Sequence, residues 1–492
     1  MSDIDSFTRP IGTNESFWVA FNNCKLQRNL NLSLKLNEKL DSRYLIYRII
    51  QDLVFENSYL ALKVSQKSSD IIEDDLFFFK PFDTIKFDDV VKFIDNDNWT
   101  DINDDLLSYL DLNFQFHQAY SKSTPVWKVL VINSDIICFV CDHLLDGIST
   151  LNFFTQFLSR LNSYHDQILQ GQFTLQDDSK IPQNIFEFNR DFKQLAKIPK
   201  SLDQIVNIEP PAGYKSSMTP PSNHQIFKFN NVLNNYEYKS YIKLLRLTSA
   251  QSRNLNSTLK SKKLKMASFI QVAFLIAISS YLIENTDENL QKNLLYDFAI
   301  PLNLRPYASD SKNWKPEISQ PENVLYGCYV SLVQFVLKFN DYHNLKDSLW
   351  DFVSFIDKLR SQIINDQFLN SIYNIGWRKS NDIKTSFLEK ILSSSIGKPR
   401  THSVRLSNLG FYKMNTNPDS YYKIIDLVNS ANISANSDTS LINTISTENG
   451  MNMSVHFLAG LLNTDPTEDK KEFDIIISKF YYIILNLNLD YD

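Results

Sequence analysis

Asp142-His143-Leu144-Leu145-Asp146-Gly147 is the stretch on which the reading of this chain turns. Ahead of it, Trp127 to Val140 is rich in Val, Ile and other apolar residues, which predicts buried strand structure. Behind it, in Ile148 to Leu161, the residues Leu151, Phe154, Leu158 and Leu161 recur at helical spacing and predict an amphipathic helix. A histidine is therefore set on a short turn between a strand and a helix, a rigid support from which a side chain reaches into a cleft. An imidazole held in this way can take a proton from an alcohol or amine near neutral pH. The same pattern equally describes a hydrogen-bonded structural histidine, and the local residues alone do not separate the two.

Outward from the turn, Tyr44 to Phe55 reads as β-prone and Asp95 to Asp105 as surface loop. From Ala196 to His224 the pattern lapses into a stretch with Pro199, Pro210, Pro211, Pro220, Pro221 and Gly213, the composition of a linker. A chain of 492 residues exceeds one ordinary core. Two domains are expected, residues 1–210 with the His motif and residues 211–492. In the second, Ala267 to Leu282 is apolar on nearly all faces and predicts a buried helix. Phe298 to Leu302 and His402 to Leu409 read as strands ending in turns. Phe473 to Leu489 reads as a helix, although its Ile and Tyr runs would also suit a strand. No internal repeat of fixed period is found.

Composition narrows the function. The chain is 43% hydrophobic, with 35 Phe and 23 Tyr, ample material for large packed cores. A formal net charge of −6 speaks against nucleic acid, whose phosphates demand a concentrated positive field. With 10 Gly and neither a P-loop nor a dinucleotide fingerprint, a nucleotide-bearing cofactor must be held some other way. The four cysteines, Cys24, Cys138, Cys141 and Cys328, follow no secretory signal, so a reducing compartment and a mainly cytoplasmic protein are expected. Cys138 and Cys141 form a Cys-x-x-Cys without a second pair or a spaced His pair; they read as two small buried hydrophobes, and no metal is expected. Met266 to Ile283 is interrupted by Ser268, Gln271, Ser279 and Ser280 and barely reaches the ~20 residues needed to cross a bilayer. A core helix suits it better.

Separated pieces of the chain resemble the fungal alcohol O-acetyltransferase family, a branch of the chloramphenicol-acetyltransferase-like fold. Arg9-Pro10-Ile11-Gly12 with Glu15 resembles the family's opening motif, and Pro125-Val126-Trp127-Lys128-Val129 the strand leading to its active His. The His143 turn resembles the catalytic motif itself. Pro301 to Pro306, Tyr326-Gly327-Cys328-Tyr329-Val330 and Ser407-Asn408-Leu409-Gly410 resemble, in order, three motifs of the second half. One departure is visible: the superfamily motif is His-x-x-x-Asp-Gly, and here only Leu144 and Leu145 separate His143 from Asp146.

The resemblance implies an α/β protein of two domains, mixed sheets flanked by helices, and a tunnel between the halves. It implies acetyl-CoA as co-substrate, His143 as general base, and Asp146 paired with Arg305 to hold the loop beside Gly147. Ser407 or Asn408 becomes the candidate oxyanion donor. Coenzyme phosphates call for basic residues at one mouth, and Lys262, Lys398 and Arg400 are the candidates. An alcohol is the expected acceptor, with a hydrophobic, sphingoid-base-like amine as the close rival. A non-catalytic relative that binds a lipid or partner is a third reading, favoured by the contracted spacing. A monomer is expected, with at most peripheral contact with endoplasmic reticulum or lipid droplets.

Overall fold

The computed structural model describes all residues except 1–6, 68–75, 118–123, 206–208, 216–232, 286–294, 308–324, 339–347, 401, 415–416, 437 and 488–492. Pro220 and Pro221 of the expected linker, and the last two residues of the Phe473 to Leu489 segment, lie outside the described residues.

Two large sheets organise the molecule. Their strands in chain order are β1 (Leu30–Leu36), β2 (Val91–Ile94), β3 (Trp127–Ile132), β4 (Ile136–Cys141), β5 (Ser240–Thr248), β6 (Leu295–Asn303), β7 (Val330–Lys338), β8 (His402–Phe411), β9 (Ile424–Ala431), β10 (Asp438–Thr447) and β11 (Gly450–Leu458). The first sheet has the order β9-β1-β4-β3-β2 and the second β5-β11-β10-β8-β6-β7. Both mix parallel and antiparallel pairings. The longer helices are α1 (Thr13–Asn23), α2 (Arg43–Glu56), α3 (Asp104–Asn113), α4 (Gly147–Leu169), α5 (Ser249–Ser261), α6 (Met266–Asn285), α7 (Leu349–Ser380), α8 (Thr385–Ser393) and α9 (Pro466–Leu485).

Of the halves expected at 1–210 and 211–492, the second lends a strand to the sheet of the first. β9 comes from the C-terminal part of the chain, yet it pairs antiparallel with β1 over Leu30 to Leu36 and closes one edge of the first sheet. An unpaired edge strand exposes a row of backbone donors and acceptors, and β9 satisfies that row for β1. The segment leaving β9 then returns to the second sheet as β10, so it passes from one half to the other.

The expected strand at Trp127 to Val140 is the antiparallel pair β3 and β4, in which Trp127 faces Cys141 across the ladder. Cys138 belongs to a smaller apolar cluster with Leu106 and Leu110 of α3, whereas Cys141 belongs to the main core. Three residues apart on a strand, they point to opposite faces of the sheet. Burial pushes the Cys138 thiol up to about 12. They cannot chelate one ion together.

The β-prone reading of Tyr44 to Phe55 is corrected by the structure: these residues form α2. Ser42 caps it by accepting from the Leu45 amide at 3.2 Å. Leu45, Ile46, Ile49, Ile50, Leu53 and Val54 are all buried along one face of the helix. Their β-branched content suggests a strand, but the spacing at three and four residues is that of a helix face against a core. At the end of the Asp95 to Asp105 loop, α3 begins behind its cap Asn103. The segments at Phe298 to Leu302 and His402 to Leu409 are strands, within β6 and β8, and the C-terminal segment is helical as α9. In α6, every residue from Phe269 to Ile278 is buried. Among the described residues no single helix is long and apolar enough to cross a membrane.

Candidate active site

His143 sits on the turn between β4 and α4 and is partly exposed. The turn is held at each residue. Asp142 donates its amide to Val126 O at 2.8 Å, and its carboxylate accepts from Leu144 N at 2.9 Å and from Asn22 Nδ2. Leu145 N closes the turn onto Asp142 O at 3.0 Å. Leu144 and Leu145 are fully buried. With both leucines fixed in the core, His143 is the residue of the turn left to face outward.

Its surroundings come from both halves of the molecule. The ring stacks on Trp18 of α1, with centroids 4.9 Å apart and planes 25° apart. Its Nε2 lies 3.2 Å from Gln27 Nε2. Gln27 is bound in turn to Asn432, just past the crossing strand β9, at 3.1 Å to the backbone carbonyl and 3.0 Å to the side-chain oxygen. Burial, and second to it the charge of Arg405 on β8, push the imidazole down to about 3. The resting ring is therefore neutral near pH 7, with a lone pair on one of its two nitrogens.

Asp146 does not touch this ring. Its Oδ2 accepts from Arg305 at 2.6 Å and from Tyr329 N at 2.9 Å; its Oδ1 accepts from Ser149 N at 2.9 Å and Ser149 Oγ at 3.0 Å. The pair with Arg305 is buried at 4% and 0% side-chain exposure, so it is among the interactions that cost most to break. The contraction of the motif by one residue leaves this pair intact. The lone pairs of Asp146 are committed to the N-terminal cap of α4 and to Arg305, the pairing that the family resemblance implies.

The dispersed motifs converge beneath the turn. Arg9 grips Glu15 through two bonds of 2.8 and 2.7 Å, and Glu15 accepts from Gly12 N at 2.6 Å. Asn14 reaches the carbonyls of Cys328 and Val330 at 3.3 and 3.2 Å. Gly327 O accepts from Asp146 N at 3.2 Å and from Ser149 Oγ at 3.0 Å. Gly327 holds φ at +136°, and a Cβ there would fall 2.8 Å from the Tyr329 ring, so only glycine fits. Tyr59 donates to Leu144 O at 3.2 Å. Motifs scattered over three hundred residues of chain are thus one scaffold for the His143 turn.

Gly147 opens α4 against a residue of the second half. A Cβ on it would lie 2.7 Å from Leu409 Cδ2. Arg405 and Ser407 stand two residues apart in the regular part of β8, ahead of a register shift between Asn408 and Phe411, and so share a face. Arg405 is felt at His143, and Ser407 shares its face of β8; farther along the strand Leu409 meets Gly147. Asn408 points the other way; it is exposed, and its side-chain oxygen accepts from Gly410 N at 2.8 Å.

Of the expected phosphate contacts, Lys262 is exposed with its ammonium 4.7 Å over the Trp350 ring, and Lys398 is exposed. Arg400 is a correction. It is buried, and its guanidinium donates to the carbonyls of Ser434 at 2.8 Å, Asp438 at 2.6 Å and Ala435 at 3.1 Å. Those bonds pin the segment between β9 and β10 and leave the cation inside, away from a solvent-borne phosphate. Sequence reasoning missed Trp18, Gln27, Asn432 and Arg405, which reach the ring only through tertiary contact.

Residues 10–480 match the model of the family described as alcohol acetyltransferase. The chain is 20% identical over 330 residues to alcohol O-acetyltransferase 1 of Saccharomyces cerevisiae, covering 63% of this chain and 59% of that protein. To alcohol O-acetyltransferase 2 of the same yeast it is 22% identical over 377 residues, covering 70% and 64%. The matches thus span less than two thirds of each relative's length. Among solved structures, the trichothecene 15-O-acetyltransferase TRI3 of Fusarium sporotrichioides superposes with a TM-score of 0.64 at 12% identity, covering 97% of this chain and 95% of that one. At that identity the likeness is one of fold, the chloramphenicol-acetyltransferase-like architecture of mixed sheets. Two sheets joined by a crossing strand, a strand-to-helix turn bearing His143 on a scaffold of dispersed motifs, and a family match over nearly the whole length lead to one statement: the chain belongs to the alcohol acetyltransferase family.

Proposed function

We propose that the chain is an acetyl-CoA-dependent O-acetyltransferase that moves an acetyl group onto an alcohol by direct transfer. The observation that carries this reading is His143 itself, neutral, partly exposed, and set where Trp18 and Gln27 of one half meet Asn432 and Arg405 of the other. In the reaction His143 takes the hydroxyl proton as the oxygen attacks the thioester carbonyl. The tetrahedral intermediate collapses, the carbon–sulfur bond breaks, and the imidazolium returns its proton to the departing thiolate. A positioned base of this kind contributes ~10²–10⁴ in rate. The negative charge that develops on the reacting oxygens raises the basicity of the ring at the moment of transfer. Ser407, on the face of β8 turned toward the ring, is the candidate donor to the oxyanion, and one such donor is worth ~10²–10³. On this reading the acceptor and the coenzyme meet at His143, and the exposed Lys262 and Lys398 are the candidates for the coenzyme phosphates.

The contracted motif favours a second reading. Four residues before Asp146, where the wider motif has its histidine, stands Asp142, buried and bonded to Asn22 and the Leu144 amide. A chain so altered would bind without transfer. Incubating the purified protein with acetyl-CoA and a panel of alcohols and long-chain amines, and following free thiol, decides between them. Thiol release dependent on an alcohol supports the acetyltransferase. Release only with amines moves the acceptor class, and none with any acceptor favours the binding protein.

A further inference from the structure

Gln27 lies between α1 and β1 and is buried. Its amide nitrogen has three acceptors within reach: the Asn432 carbonyl at 3.1 Å, the Asn432 side-chain oxygen at 3.0 Å and His143 Nε2 at 3.2 Å. A backbone carbonyl can only accept, so the atom facing it must be the NH2 group and not the amide oxygen. One of its two hydrogens serves the Asn432 pair; the other points to His143. We infer that Gln27 is a positioning residue that fixes the tautomer of His143, leaving the lone pair on Nε2 and the proton on Nδ1; the inference rests on the transfer reaction proposed above.

The rest of the surroundings agree with that assignment. Trp18 fixes the plane of the ring from one side. Nδ1 finds no hydrogen-bond partner among the described residues, so nothing there competes to choose the tautomer. The charged groups about the ring are Arg405 on β8, itself paired with Asp438 at 2.6 Å, and Asp142 on the same turn, tied to Asn22 and Leu144 N. Trp18 and Asn432, facing it from α1 and from the segment past β9, do not titrate. Among the described residues no carboxylate thus faces Nε2 to hold a proton there. During transfer the acceptor hydroxyl takes over the Nε2 lone pair while Gln27 stays anchored on Asn432 through its other N–H. The O–H bond breaks, the Nε2–H bond forms, and that proton leaves on the thiolate sulfur.

Two substitutions in the full chain test this. Gln27→Leu removes the donor and its bias; kcat is expected to fall about tenfold, the worth of one such hydrogen bond, with little change in the KM of acetyl-CoA. Gln27→Glu places an acceptor opposite Nε2. It draws the proton to that nitrogen and adds an acid limb to the rate profile, its midpoint raised by about 1–3 pH units above that of the wild type. The direct readout is nitrogen NMR of protein labelled with ¹⁵N-histidine, the His143 signals assigned by their loss in His143→Gln. The expected result is a protonated Nδ1 and bare Nε2 in the wild type, reversed in Gln27→Glu. A wild-type ring protonated at Nε2, or a Gln27→Leu protein with unchanged tautomer and rate, overturns the inference. If the NMR result holds while the wild type acetylates no acceptor, the positioning stands and the transfer reaction is what fails.

Discussion

Asp146→Asn is the substitution whose cost the structure sets most narrowly. The new side chain keeps a carbonyl for Ser149 but no charge for Arg305, whose side chain is fully buried. Removing one member of a buried pair strands the other charge and costs about 3–5 kcal/mol. Arg305→Met leaves the Asp146 carboxylate with the Tyr329 and Ser149 donors, and it falls in the same range. Combining Asp146→Asn with Arg305→Met removes both charges at once, so the double variant loses less than the sum, by about 1–3 kcal/mol of coupling. The assay is urea unfolding of all four proteins, followed by far-ultraviolet circular dichroism and tryptophan fluorescence, with the first transition compared because a chain of two halves need not unfold in one step. An Asp146→Asn protein within about 1 kcal/mol of wild type, or a double variant equal to the sum of the singles, would refute the claim that this pair holds the His143 turn.

Two further outcomes follow from the same geometry. Gly147→Val drives its side chain into Leu409, whose Cδ2 lies only 2.7 Å from where the new Cβ must stand, and is expected to cost about 1–3 kcal/mol in the same unfolding assay; Leu409→Ala in the same chain should recover most of it, and no recovery would mean the glycine answers to something else. His143 and His456 are both held neutral by burial, pushed down to about 3 and about 4, while in the unfolded chain each titrates near 6.5. The unfolded state therefore binds more protons below about pH 6.5, and stability is full above that pH and falls as the pH drops toward 4. Urea midpoints measured from pH 7.5 to 4.5 should decline less steeply in His143→Gln than in wild type, and equal slopes would contradict the burial argument.

Much of the fold is legible because its signals are local. The apolar run before His143 and the helical spacing after Gly147 each show in a dozen residues, and β4 and α4 are where those patterns put them. The pairing of Asp146 with Arg305, 159 residues away, is reached only through family resemblance, since no local pattern encodes it. Likewise, nothing in Ile424 to Ala431 marks β9 as the strand that crosses to the first sheet, because strand partners are chosen by distant surfaces. Gln27 and Trp18 escape notice for the same reason: each sits in an unremarkable segment and gains meaning from what folds against it. Arg400 misleads because a basic residue beside Lys398 reads as surface charge, whereas the carbonyls of Ser434, Ala435 and Asp438 draw it inward.

The measurement that bears most directly on the proposed base is acetyl transfer by His143→Gln and His143→Ala beside wild type, scored as free thiol released per enzyme with the best alcohol of the panel. Circular dichroism confirms first that each variant is folded. Loss of about 10²–10⁴ in kcat with both variants is the predicted result. Transfer that persists at the wild-type rate without the imidazole would contradict it.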